Sequence, residues 1–443
     1  MLGFRSTATH GVFLLAGALL TACGSGGNKG SATPADSGSA LDGGDDVSEG
    51  TEASVPDAST KDGGADSATD AALGPHAPLP QVVDLGGTVL TTPKVQLIVY
   101  TEDPLATDVD DMITELTQTS TWAEQTSEYG VGALTKVPTI QIAGTPPTTL
   151  DDSSGGVTPF EQTLVTNTTG TDPIWGAADP STIYAFLIPA GTNVESGDGN
   201  CCSSFFGYHF TVQVSATIAI PYAVICDCTD PPYTPLENTT TTVNHELVEA
   251  ATDPLPDSNP AYEQEDRNDI IWKFATGGEV ADMCDLNADQ NYLPPGSTYM
   301  VQRTWSNAAA MAGTNPCVPP PTTPFFDSMA VLPDSITLSI YGTPVLTKGV
   351  QIAVGASKTI DVQLFSTAPT SGPWHVTAYD MNAYLGGEAN TTLSLDKTTG
   401  SNGDVLHLTI KVNSADPDLG GEGFFLISTL ASQQNITVGA IAN

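Results

Sequence analysis

Two different periodicities divide this chain. Val95, Leu97 and Val99 alternate with Gln96, Ile98 and Tyr100, an apolar run on both faces that predicts a well-buried strand. Val109, Met112, Ile113 and Leu116 then recur at helical spacing behind Asp108, which is placed to cap that helix. Ile183-Tyr184-Ala185-Phe186-Leu187-Ile188, stopped by Pro189, reads as a second buried strand, and Tyr222-Ala223-Val224-Ile225 as a third. Strands interleaved with helices predict an α/β or α+β central domain over residues 80–320.

The texture changes after Pro316-Cys-Val-Pro-Pro-Pro-Thr-Thr-Pro324. Ile360, Val362 and Leu364 alternate with polar residues, and Leu406, Leu408, Ile410 and Val412 alternate with His407, Thr409 and Lys411. Short alternating strands separated by Gly, Asn, Asp and Pro predict an all-β, immunoglobulin-like sandwich over 321–443. His375 and His407 have no ligand pattern around them and read as ordinary strand residues.

The N-terminus adds a destination. Arg5 precedes the short apolar run Val12–Leu20, which has the order of a secretory signal and is shorter than the ~20 residues a membrane-spanning helix needs. Leu20-Thr21-Ala22-Cys23 looks like a lipobox, so residues 1–22 are expected to be removed and Cys23 to carry lipid. Gly24 follows the cysteine rather than Asp, which favours an outer-membrane or cell-surface position over retention at the inner membrane. From Gly24 to about Pro75 there is no aromatic residue, and ten acids face two lysines, Lys29 and Lys61. Residues 23–79 are therefore expected to form a disordered acidic tether, too poor in large apolar groups to offset the entropy of ordering.

Charge removes some partners. Among 443 residues, 51 acids against 12 Lys and Arg leave a formal net charge of −39, which repels nucleic acid and anionic lipid headgroups and attracts divalent cations. The membrane contact is then the lipid on Cys23. Six further cysteines, Cys201, Cys202, Cys226, Cys228, Cys284 and Cys317, lie in an exported segment where disulfides persist. Zinc binding by Cys226-Asp-Cys228 is the alternative, at a spacing unlike the usual zinc finger. Cys284 with Cys317 is the favoured pair, because the other four cluster at 201–228.

The segment that changes the picture most is Val243-Asn-His-Glu-Leu-Val-Glu-Ala-Ala-Thr-Asp-Pro254. As a helix it places Val243, Leu247, Ala250 and Ala251 on one stripe and His245, Glu249 and Thr252 opposite, with Pro254 ending it. His245 and Glu249, one turn apart, can share a metal ion. The arrangement copies the zincin His-Glu-x-x-His with Glu249 for the second histidine, and Glu246 takes the place of the general base that deprotonates metal-bound water. Glu279 and Asp282 are candidates for the remaining ligand, as are His209 and Asp253. The competing reading of the same helix is a solvated polar face.

Gly207-Tyr-His209, Tyr222–Ile225, His245–Pro254, Gly278-Glu-Val-Ala-Asp-Met-Cys284 and Tyr299–Asn307 occur in this order. The series resembles the Exordium-type phosphate-induced proteins of plants and their bacterial relatives, with uncharacterised lipoproteins of the myxobacterial kind nearest in pattern. The resemblance covers roughly residues 85–318 and implies His245, Glu249, Glu279 and Asp282 as a shared constellation. It implies no activity. Asn244 stands where Ser or Gly would be expected, and the tether and the C-terminal region lie outside the pattern.

A calcium loop is a further candidate at Asp285-Leu-Asn287-Ala-Asp289-Gln-Asn291, although an EF-hand would want Gly at 290 and Glu at 296, where Gln and Gly stand; a polar turn is the alternative. Nucleophile-elbow, P-loop and dinucleotide motifs are absent from the sequence. The expectation is a surface lipoprotein with a divalent-metal site, zinc first. It would be either a metallopeptidase-like hydrolase acting on peptide with Glu246 as base, or a non-catalytic protein that meets a cell-surface or cell-wall polymer.

Overall fold

The computed structural model describes residues 73–152, 158–196, 199–340, 342–414 and 420–443. The signal segment, Cys23 and nearly all of the expected tether lie outside the described residues. Packed chain begins slightly ahead of residue 80: the Gly74 N–H donates to Asn402 Oδ1, His76 stacks on Phe365 at 3.8 Å, and Leu79 is buried.

In the central region, β1 (Lys94–Tyr100) is followed by α1 (Ala106–Leu116), β2 (Thr182–Ile188), β3 (Gly207–Ser215), β4 (Ile218–Cys226) and α2 (Pro235–Thr252). β1, β2 and β4 lie side by side and parallel, with Leu97 opposite Ala185 and Ala185 opposite Ala223. β3 returns antiparallel along β4 and places His209 opposite Ala223 at the edge of the sheet. Every residue of β2 is buried, as a strand covered on both faces must be. Val109, Met112, Ile113 and Leu116 form the buried face of α1, whose first residue lies ahead of the expected cap: Asp108 is within the first turn, and Asp103 Oδ1 instead accepts from Leu105 N–H.

Beyond the proline-rich stretch the chain is largely antiparallel β. β5 (Phe326–Ala330), β8 (Ser357–Ser366), β10 (Thr391–Leu395) and β11 (Val405–Val412) build one sheet. β6 (Asp334–Ile340), β7 (Thr343–Gln351), β9 (Trp374–Asp380), β12 (Gly421–Leu430) and β13 (Gln433–Ala442), with Thr399–Gly400, build the other. Val362, Leu364, Leu408 and Ile410 of the first sheet meet Trp374, Phe424, Leu426 and Ile441 of the second in one apolar core. β11 alternates as its sequence requires, with Leu406, Leu408, Ile410 and Val412 inward and His407 and Lys411 outward. His375 is exposed, and His407 pairs with Asp361 at 3.0 Å on the surface. Trp272 and Ala275 of the central region share a second apolar cluster with Ile336, Leu338, Phe425 and Val438, so the architecture changes across a common core. Among the described residues no helix is long and apolar enough to cross a membrane.

One buried acid in this region has a measurable consequence. Asp327 is 3% exposed, and burial pushes its carboxyl from the ordinary 3.8 up to about 7, against the opposing hydrogen bond from Ser328 N–H. The folded state therefore holds a proton that the unfolded chain releases near pH 4, and stability is lost as pH rises from about 4 through about 7. Asp327→Asn keeps the acceptor and removes the charge. It should stabilise the protein at pH 8 by up to about 4 kcal/mol, with the gain fading toward pH 4 in thermal melts. A pH-independent effect would show that Asp327 carries no such linkage.

Candidate metal centre

α2 is the axis of the site. Thr234 caps it and Pro235 opens it, with Glu237 reaching back to the Thr234 N–H while Thr234 Oγ1 accepts from Glu237 N–H. The helix starts well before Val243, and from Asn238 to Thr252 it is buried on all sides. This corrects the solvated-face reading. The polar residues are buried because the fold supplies partners for them. Thr241, Thr242 and Thr252 donate to carbonyls one turn back. Asn244 exchanges amide hydrogen bonds with Gln125 and accepts from Gln302 N–H.

Three other segments bring the remaining groups. β3 contributes His209, and Gly207 on the same strand lets it approach α2: a Cβ there would lie 2.7 Å from Glu246 Oε1 and from Thr242 Cγ2. Behind the short helix Ile271–Thr276, Gly278 at φ +102° turns the chain so that Glu279–Asp285 folds back against α2. Asp282 N–H then donates to Glu249 Oε1 at 3.0 Å, and Glu279 N–H to Asp282 Oδ2 at 3.1 Å. The short strand Val301–Gln302 supplies Gln302.

His245 Nε2 lies 3.0 Å from Glu249 Oε2 and 3.4 Å from Asp282 Oδ1. These separations suit ligand atoms around one ion, since tetrahedral zinc with ~2.05 Å bonds sets its ligands roughly 3.3 Å apart. His209 Nδ1 faces Glu279, Glu246 and Glu249 at 3.6, 3.7 and 3.8 Å. The converging groups are His245–Glu249–Asp282, His209–Glu249–Glu279 and Asp253–Glu263–Glu279. The four residues expected as ligands are thus brought together, and His209 joins them. Glu246, expected to stand apart as a base, is 4% exposed and faces His209 within the same cluster.

Both imidazoles are oriented from behind. Gln302 donates through Nε2 to Ala281 O and to Asp285 Oδ1, which leaves Oε1 as the acceptor 2.9 Å from His245 Nδ1. His209 Nε2 lies 3.2 Å from Asp253 O. With those nitrogens donating, a neutral His245 presents the Nε2 lone pair and a neutral His209 the Nδ1 lone pair to carboxylate oxygens. Such contacts need a proton or a metal between them.

The electrostatics express the same demand. Burial, and then the charge of Glu249, holds Glu279 and Asp282 well above the carboxylate range; burial lifts Asp285 to about 7 and Asp253 to about 6. Burial would also raise Glu249, but His245, His209 and the Asp282 N–H together outweigh it and lower its pKa. Desolvation opposes protonation of His245, yet Glu249, Asp282 and Asp285 together raise its pKa well above the usual value. The nearby buried cation, Lys273, is committed to Glu263 and Glu265 at 2.6 Å each.

The 285–291 loop starts inside the cluster. Asp285 turns inward to Gln302 and lies 4.0 Å from His245 Nδ1, while the Asp289 carbonyl accepts from Arg303 Nε. The loop's first acid thus gives its Oδ1 to Gln302 inside the carboxylate cluster. The cysteines pair as Cys201–Cys226, Cys202–Cys228 and Cys284–Cys317, so Cys226 and Cys228 are bonded to other cysteines rather than free to hold zinc.

Gln302 had no role in the sequence reading, and only its place in Tyr299–Asn307 marked its neighbourhood. Gln302→Leu leaves the His245 N–H and Asp285 without their partner, and zinc affinity should fall about 10- to 100-fold in competition with a chromophoric chelator. Unchanged affinity would separate Gln302 from the centre.

No family model and no curated protein matches this chain. Among solved structures, one described as surface layer protein SbsC, domains 1–6, aligns at 14% identity over 35% of this chain and 26% of that chain, with a TM-score of 0.16. That likeness is too slight to carry an argument.

Proposed function

We propose that the central domain holds a divalent metal ion, zinc foremost, through His245, Glu249 and Asp282 with Glu279 beside them, in a lipoprotein anchored by Cys23 at the outer membrane or cell surface. The observation that carries this reading is the Oδ1 atom of Asp282. It belongs to a side chain 2% exposed, forms no hydrogen bond of sound geometry, and lies 3.4 Å from the Nε2 edge of His245. A buried carboxylate oxygen left unpaired is costly, and a metal ion at that point satisfies it together with His245 and Glu249. We read the central domain as zincin-like in layout and the C-terminal sheets as an immunoglobulin-like sandwich.

The packing favours an ion that holds the fold over one that meets substrate. The side chains of His245, Glu249 and Asp282 are 9%, 3% and 2% exposed, whereas a catalytic metal needs an open position in a cleft. The protein is then a non-catalytic surface component of the Exordium type, its partner a cell-surface or cell-wall polymer. A hydrolytic reading, metallopeptidase-like with Glu246 as base, has one observation of its own: Glu279, at 17% side-chain exposure, brings the cluster toward solvent.

Two substitutions test this. His245→Ala should abolish stoichiometric zinc binding, while Glu246→Gln should retain zinc in the His245 group. Peptide cleavage by the wild type that is lost in Glu246→Gln with zinc retained would move the assignment to the hydrolase. Full zinc affinity in His245→Ala would remove the proposed ligand set.

A further inference from the structure

Glu249 stands between two histidines. Its Oε2 atom is 3.0 Å from His245 Nε2 and 3.8 Å from His209 Nδ1, while its Oε1 is engaged by the Asp282 N–H. One carboxylate oxygen therefore serves both ligand groups, His245–Glu249–Asp282 and His209–Glu249–Glu279. A single ion at His245 leaves the His209 side unexplained. There Glu246 and Glu279 face His209 Nδ1 at 3.7 and 3.6 Å, too far for hydrogen bonds. Asp253, fully buried, accepts from Ala261 N–H through Oδ1 while its Oδ2 has no partner. Asp253 and Glu279 converge with Glu263, and Glu263 is already paired with Lys273.

We propose that the centre is dinuclear, with a second divalent cation held by His209 Nδ1 and Glu279 and joined to the first through Glu249 Oε2. This rests on the metal reading above and adds the second ion. The charge balance supports it. Glu246, Glu249, Glu279, Asp282, Asp285 and Asp253 are all buried or nearly so around two imidazoles, and a second divalent ion offsets charge that the first leaves in a low-dielectric interior. Carboxylate-bridged ions sit about 3.5–4 Å apart in two-metal sites, a spacing that a single shared oxygen can span.

Manganese(II) is the probe, added to the metal-depleted full chain and followed by elemental analysis and electron paramagnetic resonance. The wild type should bind two ions per chain, and their spectrum should be exchange-coupled. His209→Gln should bind one, with the resolved hyperfine pattern of an isolated ion. Wild type saturating at one uncoupled ion, with His209→Gln unchanged, would overturn the dinuclear inference and leave the mononuclear reading intact. No binding by the wild type would overturn both. The wild-type spectrum decides the matter even where His209→Gln fails to fold.

Discussion

Treatment of the purified protein with excess EDTA should lower its melting temperature by roughly 10 °C, and added zinc should restore it. An ion present at about a thousand times its Kd stabilises the folded state by about 4 kcal/mol, and each kcal/mol moves the midpoint by about 2–4 °C in a domain of this size. The expectation has a local cause. Asp282, Glu249 and Glu246 are 2–4% exposed, and without a cation they either repel one another or take up protons. Helix α2, the edge strand β3 and the 279–285 turn all contribute to this cluster, so the loss should appear first in amide exchange of those segments. A melting temperature indifferent to EDTA and to zinc would mean that the cluster is satisfied by protons and hydrogen bonds alone.

The second large effect concerns the disulfide beside the site. Cys284 lies between Asp282 and Asp285 and is bonded to Cys317, which sits in the short strand Cys317–Val318 paired with Thr304–Trp305. Closing a loop of 33 residues removes chain entropy worth about 3–4 kcal/mol from the unfolded state. The double variant Cys284→Ala, Cys317→Ala should lose about that much in denaturant unfolding. It should also bind zinc more weakly, because the turn presenting Asp282 is no longer pinned. Loss of stability with undiminished zinc affinity would show that the turn is held by its hydrogen bonds to Glu249 and Gln302 instead.

The elements legible in the sequence were those whose signal is local. β2 shows itself as an unbroken apolar run and β11 as strict alternation, because burial on both faces or on one writes those patterns directly. α2 was legible only in its second half. Its true start, Thr234-Pro235-Leu236-Glu237, carries a capping box with proline at the first turn, a local signal followed by a polar Asn238–Thr242 run that has no apolar period to extend it. The polar face of α2 was the harder problem. Periodicity shows that His245, Glu246 and Glu249 occupy a helix, but not that His209, Gln302 and the 279–285 turn cover them, since those partners come from distant segments. Asp285 shows the same limit: its spacing with Asn287 and Asp289 is local, whereas the Gln302 amide that holds its carboxylate comes from a distant segment.

Elemental analysis of the protein purified without chelator is the most direct test of the central claim. At least one tightly held divalent ion per chain, zinc foremost, is expected, and His245→Ala should lose it. Protein that is metal-free as purified, and that binds neither zinc nor manganese on titration, would contradict it.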